Sequence, residues 1–256
     1  MDANALPSSE QHRLAKKAKV DLNGVAKTLL ITLIARAYDF SVPRPILGDP
    51  YAQDILDRLD FDLGKMTMTP FQMACIAVRT SRFDRWTSNF LQHNPNTTVL
   101  HLACGLDSRM NRVKWGENTR WVDIDLPEVI ALRRKVQSTS LPGRDYSILG
   151  IDPVLVVMER LLCYLPEDDC INSMTLQALN GTKPIQSVSS TGAEFHSSVD
   201  DPKSLELLHP GLKLVESIRL AEAPGVEMFP LGSRLFMYLR SWIPGVRDAS
   251  RNNIIA

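Results

Sequence analysis

The chain has 256 residues, and its 29 basic and 29 acidic side chains give a formal net charge of zero. Hydrophobic residues make up 44% and charged residues 23%, which are ordinary values for a globular protein. The balanced charge argues against nucleic acid as the main partner, because proteins that bind phosphates normally carry a basic excess. The composition also excludes a fibrous protein, a disulfide scaffold and a disordered chain.

The cysteines and the apolar runs indicate the cellular compartment in which the protein is expected. The four cysteines form no C-x-x-C pair and are too few for a disulfide framework, which favours a reducing compartment. The N-terminal residues are polar and lack the apolar region of a secretory signal. The most apolar run, residues 29–35, is far shorter than the ~20 residues that span a bilayer. We therefore expect a cytoplasmic protein with no membrane partner and no metal site.

The first third of the chain has a helical pattern. Apolar residues recur every four positions along the first amphipathic stretch: Val25, Leu29, Leu33 and Ala37. Two further amphipathic stretches follow, the second from about Pro70 to Leu91. We predict a mobile N-terminal arm over residues 1–19 and a helical cap over residues 20–95.

Three short apolar runs then predict strands, at residues 98–103, 120–125 and 154–158. The first run does not alternate, which is typical of a strand buried on both faces of a parallel sheet. A glycine turn follows the first strand and an acid ends the second, as in the first half of a nucleotide-binding α/β unit. The pattern predicts a single domain over 20–256, with a cofactor-binding half at 96–165 and a C-terminal half at 166–256.

Gly105 and Asp125 are the residues of this unit that indicate a ligand. Gly105 stands where the first strand turns, and the missing side chain lets a ligand approach the backbone. Asp125 follows at about the 20-residue spacing of an acid that accepts hydrogen bonds from both ribose hydroxyls. A solvated helix-capping aspartate is the alternative. Ser108 replaces the third glycine of G-x-G-x-x-G, so a ligand without a pyrophosphate, such as S-adenosylmethionine, fits better than a dinucleotide.

Linked segments of the sequence resemble a known family, the leucine carboxyl methyltransferases, and within it the branch of tetracenomycin-type polyketide O-methyltransferases. The four main segments are residues 78–84, 101–109, 121–130 and 158–167. Shorter matches lie at 35–37, 49–52 and 208–212. The resemblance implies an α/β fold with a Rossmann-like class I methyltransferase sheet flanked by helices. It also implies an S-adenosyl-L-methionine-dependent O-methyltransferase acting on a small molecule, such as a polyketide-type secondary metabolite.

The resemblance also implies roles for five residues. Arg79 would hold the methionine carboxylate of the cofactor, a charge-assisted pairing. Ala103 and Gly105 would line the methionine side, Asp125 would bind the ribose, and Glu159 would face the amino or sulfonium end. Two alternatives stay open: a surface salt bridge from Arg79 to the acid at position 84, and a helix-starting role for Glu159.

The histidines supply no clear base. His101 lies inside the first predicted strand, and we interpret it as a core residue. No catalytic residue is identified, and the acceptor and the oligomeric state are left open.

Three features depart from the family pattern. Ala103 stands where the family usually has glycine, and Arg160 stands where it has a small or apolar residue. Residues 145–149 look like a further strand, yet only four residues separate them from the strand at 154–158. A parallel crossover needs a dozen or more residues. We therefore predict that 145–149 is not a regular central strand and that the chain is a shortened version of the fold.

These departures keep a second function open, a catalytically impaired methyltransferase-like protein that binds a partner or ligand without turnover. A third, a nicotinamide-dependent oxidoreductase, is weakened by the missing glycine spacing.

Overall fold

A computed structural model of the chain describes the following residues: 17–62, 66, 68–137, 154–158, 203, 206, 214–240 and 253–255. Seven helices lie in these ranges: α1 (Gly24–Lys27), α2 (Leu29–Ser41), α3 (Pro50–Asp57), α4 (Pro70–His93), α5 (Arg109–Arg112), α6 (Pro127–Val136) and α7 (Leu231–Arg240). The strands are β1 (Ala18–Lys19), β2 (Leu59–Asp60), β3 (Thr98–Leu102), β4 (Arg120–Ile124), β5 (Val154–Met158), β6 (Ser217–Arg219) and β7 (Asn253–Ile255).

A parallel sheet with the order β4-β3-β5 carries the site. Thr98 at the start of β3 is level with Arg120 of β4 and with Val154 of β5. The carboxyl ends of the three strands therefore meet at one edge. The three predicted strands are confirmed, with the third on the opposite side of the first from the second. Helices combined with this small parallel sheet agree with an α/β fold.

The N-terminal helices form the largest apolar core. Leu29, Leu33 and Ala37 of α2 are buried, which confirms that face of the predicted helix. Helix α4 begins with a capping box, in which the Thr69 side chain accepts the Gln72 backbone N–H and the Gln72 side chain accepts the Thr69 N–H. This long helix packs against α2 and beside β5.

Residues 214–240 pack against α4, and Glu216 contacts the helix near Arg82 and Trp86. The carboxylate of Glu216, just before β6, accepts hydrogen bonds from Arg82 and Trp86 of α4. Gly225 has a φ of 101°, and a Cβ there would lie 2.7 Å from Ile46 Cγ2, so the contact requires glycine. β6 pairs antiparallel with β7 in a separate small sheet.

Several predictions concern residues outside the described ranges: the strand-like segment 145–149, Glu159 and Arg160. Most of the predicted arm, residues 1–16, is outside them too, whereas Ala18–Lys19 form β1, which pairs in parallel with β2. Within the described ranges, every helix is too short or too polar to cross a bilayer.

Candidate functional site

A tight turn follows β3 at the edge of the sheet. The Asp107 N–H donates to the Cys104 carbonyl at 2.9 Å, which closes a four-residue turn. Gly105, the second residue of this turn, has a φ of 52°. A positive φ at that position is typical of a type II′ turn, which favours glycine. The backbone of this loop therefore requires Gly105 before any ligand is considered.

Ala103 also has a positive φ, 51°, and no other non-glycine residue in the described ranges has one. The position at which the family usually has glycine is thus one where the backbone itself favours glycine. A left-handed alanine is strained by roughly 1–2 kcal/mol. The departure at Ala103 therefore adds backbone strain at a φ that favours glycine.

We expect Ala103→Gly to raise the free energy of unfolding by about 0.5–1 kcal/mol, because the strain that it removes exceeds the added entropy of the unfolded chain. Urea denaturation measures this change. The control is Ala131→Gly on the exposed face of α6, which should cost about 1 kcal/mol. A loss of stability in the Ala103→Gly variant would contradict the strain argument.

Gly105 and Asp125 are joined directly across the sheet edge. The Gly105 N–H donates to Asp125 Oδ2 at 2.7 Å, and the Leu126 N–H donates to Asp125 Oδ1 at 2.7 Å. The Cys104 N–H also donates to the Ile124 carbonyl at 3.2 Å. These bonds hold the loop after β3 against the end of β4, so that the predicted ribose acid touches the predicted glycine.

Behind the loop lies a buried arginine–aspartate network of eight side chains. Its members are Arg36, Arg109, Arg112, Arg133, Asp49, Asp84, Asp107 and Asp123. Arg36, Arg109 and Asp49 are at most 1% exposed. Burying so many charges carries a desolvation penalty, which is offset only where each charge is paired and hydrogen-bonded, and here four cations face four anions.

The network links the helices to the loop. Arg36 of α2 donates to Asp49 Oδ2 at 2.8 Å, and its Nη2 donates to the Leu106 carbonyl at 2.9 Å. Asp84 of α4 accepts Nε of Arg109 and Nε of Arg112, each at 2.8 Å. The network therefore ties α2, α4 and α5 to one short segment of backbone.

His101 belongs to the same buried layer and is 2% exposed. Arg109 Nη1 lies 3.2 Å from His101 Nε2 and can only donate, so Nε2 accepts. Nδ1 then carries the proton and donates to Asp123 Oδ1 at 3.1 Å. Both ring nitrogens are bonded, which supports the interpretation of His101 as a core residue.

Two carboxylates of the network have strongly lowered pKa values. Burial opposes ionisation of Asp107, but the charges of Arg109, Arg112 and Arg36 hold its pKa well below the usual range. Burial likewise opposes ionisation of Asp123, but the hydrogen bond from His101 and the charge of Arg133 lower its pKa to about 2. Both groups are therefore ionised throughout the neutral range.

These lowered pKa values predict an acid-sensitive fold. An unfolded aspartate has a pKa of about 3.9, so the native state binds fewer protons than the unfolded state below that pH. We expect the stability contributed by Asp107 and Asp123 to be complete above about pH 4 and to be lost as the pH falls towards 2. Urea midpoints between pH 7 and pH 2.5 measure this. A midpoint that stays constant below pH 4 would contradict the assignment.

Of the two remaining predicted site residues, Arg79 lies within the described residues and Glu159 does not. Arg79 lies half-buried in the middle of α4, one turn from Cys75. Burial raises the pKa of the Cys75 thiol to about 11, and the positive charge of Arg79 opposes that rise. Glu159 follows β5 directly but lies outside the described residues. The hydrogen bonds thus join Gly105 to Asp125, while the convergence of all five residues stays a prediction.

The sequence reasoning missed the arginine–aspartate network. Arg36 and Asp49 lie in segments 35–37 and 49–52, which the sequence pattern marks only as part of the resemblance to the family. The signal that could have found Arg36 is an arginine inside a strongly apolar helical stretch, where an unpaired charge is costly. Asp49 stands before α3 as its N-cap, a position where an aspartate is common.

Comparison with known proteins places this sequence in a family. The sequence model of "Leucine carboxyl methyltransferase" matches residues 29–141. The "Tetracenomycin polyketide synthesis O-methyltransferase TcmP" of Streptomyces glaucescens is 34% identical over 265 aligned positions, which cover 91% of this chain and 96% of that protein. The chain belongs to the leucine carboxyl methyltransferase family.

Further relatives of this methyltransferase agree on the cofactor. The "S-adenosyl-L-methionine-dependent methyltransferase dpfgK" of Gibberella zeae is 33% identical over 252 positions, covering 78% of this chain and 84% of that protein. A "Putative S-adenosyl-L-methionine-dependent methyltransferase" of Mycolicibacterium gilvum is 26% identical, covering 63% of this chain and 66% of that protein. S-adenosyl-L-methionine is the cofactor of this family.

Proposed function

We propose that this methyltransferase transfers a methyl group from S-adenosyl-L-methionine to an oxygen atom of a small molecule, specifically a polyketide-type phenol or carboxylic acid. The observation that carries the proposal is the bond between Gly105 and Asp125 at the carboxyl edge of the sheet. In open parallel sheets, ligands bind beyond this edge. The name of TcmP, an O-methyltransferase of polyketide synthesis, supports the oxygen acceptor and the substrate class, and the name of dpfgK supports the methyl donor.

The described residues fit such a cofactor. Asp125 is half-buried, and its two oxygens accept one backbone N–H each. A carboxylate has about four lone-pair positions, so two are left for the ribose hydroxyls. The positive φ of Ala103 is a backbone conformation typical of glycine, the residue that the family usually has there. We propose that Asp125 binds the ribose and that Ala103 and Gly105 line the methionine side.

Two further contacts belong to the proposal. Arg79 would pair with the methionine carboxylate, a bidentate geometry suited to a guanidinium. Glu159, at the end of β5, would face the amino or sulfonium end. We propose that β3, β4 and β5 are part of a Rossmann-like class I sheet, with residues 20–95 forming a helical cap over it.

The cofactor supplies an electrophilic methyl group on sulfur, and the chain mainly holds the two reactants in line. Positioning of this kind can contribute as much as ~7–11 kcal/mol. A carboxylate acceptor needs no base, whereas a phenol must lose its proton. His101 cannot take that proton, because its nitrogens are bonded to Asp123 and Arg109. His101 is therefore assigned no part in proton transfer.

Calorimetry with S-adenosylmethionine, S-adenosylhomocysteine and NAD tests the cofactor, and transfer of a labelled methyl group to a panel of polyphenols and aromatic acids tests the reaction. We expect micromolar dissociation constants for the first two ligands, no binding of NAD, and a labelled methyl ether or ester. Binding without transfer to any acceptor would support the alternative of a binding protein without turnover. Failure to bind either sulfur nucleoside would overturn the proposed function.

A further inference from the structure

Arg133 of α6 donates hydrogen bonds to the backbone of the loop that follows β3. It is 3% exposed, and its Nη1 donates to the Gly105 carbonyl at 2.9 Å and to the Asp107 carbonyl at 2.7 Å. Its Nη2 donates to Asp123 Oδ2 at 2.5 Å. One planar guanidinium thus spans two backbone carbonyls and a carboxylate, which a lysine ammonium on its flexible stem cannot reproduce.

These contacts fix the orientation of the peptide groups in the loop. The Gly105 and Asp107 carbonyls face Arg133, while the Leu106 carbonyl between them faces Arg36. Because the N–H and C=O of a trans peptide point in opposite directions, fixing three successive carbonyls also fixes the N–H groups that follow them. The Gly105 N–H is fixed separately, by its bond to Asp125. The loop is therefore set on both sides by groups outside it.

The ion pair with Asp123 does not by itself explain all the contacts of Arg133. Asp123 also accepts hydrogen bonds from His101 Nδ1 and from Trp121 Nε1 at 2.9 Å. The Nη1 group of Arg133, in contrast, donates to backbone carbonyls of the loop. Arg133 pairs with an acid through one nitrogen and holds the loop through the other.

We propose that Arg133 is a positioning residue for the methyl donor: it presets the turn at residues 103–108, and thereby the relation of Gly105 to Asp125, before the donor binds. This inference rests on the proposed function, because it assumes that the donor binds against that turn. Arg133 itself is too deeply buried to be assigned a contact with the donor.

The test compares Arg133→Lys with Arg112→Lys. Both substitutions retain a positive charge in the same buried network, but the acceptors of Arg112 are all side chains, those of Asp49, Asp84, Asp107 and Ser108. Calorimetry with S-adenosylhomocysteine, the KM and kcat for S-adenosylmethionine, and amide hydrogen exchange of peptides covering 103–108 in the ligand-free protein are measured for both. Thermal unfolding checks that both variants are folded.

We expect Arg133→Lys to raise the dissociation constant and the KM about tenfold while kcat at saturating donor changes little, since misplacement of a binding element acts mainly on donor affinity. The rise in exchange rate at 103–108 and the loss of affinity should both be much larger in this variant than in Arg112→Lys, because Arg112 contacts only the side chains of Asp107 and Ser108 in that loop and none of its carbonyls. Equal weakening in both variants, or unchanged binding in Arg133→Lys, would overturn the inference while wild-type binding still supports the proposed function. A wild type that does not bind the nucleoside would overturn both.

Discussion

Replacement of Asp49 by asparagine is expected to lower the free energy of unfolding by about 3–5 kcal/mol, the range for breaking a buried ion pair. Asp49 is fully buried, and its Oδ2 accepts Arg36 Nη1 and Arg112 Nη1, each at 2.8 Å, and Ser108 Oγ at 2.5 Å. Asparagine has almost the same shape but no negative charge, and the NH2 group that replaces one carboxylate oxygen donates and cannot accept from a guanidinium. Two buried arginines would then share the remaining aspartates.

The matched control is Asp54→Asn in the same helix, α3. Asp54 pairs with Arg58 at 2.7 Å, but the two side chains are 52% and 30% exposed. An exposed pair four residues apart contributes about 0.5 kcal/mol or less. Urea denaturation of both variants at pH 7 measures the difference. Similar losses in the two variants would show that burial of the network does not determine its contribution.

The strands of this fold could be predicted from the sequence because each is a short apolar run closed by a chemical signal. The run at 98–103 ends before Gly105, and the run at 120–125 ends at Asp125. The structure confirms their pairing and the position of β5 on the far side of β3. Helix α4 could be predicted as well, since a proline and an amphipathic pattern mark its extent.

The arginine–aspartate network could not be predicted in the same way. Its bonds join residues far apart in the chain, such as Arg36 with Asp107 and Asp49 with Arg112. A single sequence shows which charges lie in apolar stretches but not which of them meet, because partner choice depends on how the helices pack. The left-handed backbone at Ala103 was also hidden, since the residue type gives no sign of its φ.

The departures from the family pattern now divide into two groups. Ala103 can be judged, because its φ is one that favours glycine and strains an alanine. Arg160 and the segment 145–149 lie outside the described residues, so the prediction of a shortened fold stays a prediction. The proposal of a methyl-donor site therefore rests on the described edge of the sheet, where the Gly105 N–H is bonded to Asp125.

Asp125→Ala is expected to raise the dissociation constant for S-adenosylhomocysteine at least about a hundredfold. Removing the carboxylate would delete the two hydrogen bonds that, in the proposed function, the ribose hydroxyls donate to it, each contributing about 1.5–3 kcal/mol. It also releases the Gly105 N–H, which donates to Asp125 Oδ2, and so loosens the turn against which the donor would lie. The two effects act in the same direction, which makes this the largest loss of binding that we expect from one substitution.

The control is Glu128→Ala, which removes an exposed acid in the first turn of α6, three residues away. It changes the local charge by the same amount, so an effect of charge alone on the affinity would be similar in both variants. Calorimetry at two salt concentrations measures both dissociation constants, and thermal unfolding shows whether each variant is folded. If Asp125→Ala is folded and binds the nucleoside as the wild type does, the ribose is not bound at this edge. The hydrogen bond to Gly105 would then account for the acid on structural grounds alone, as a clamp between the loop after β3 and the end of β4.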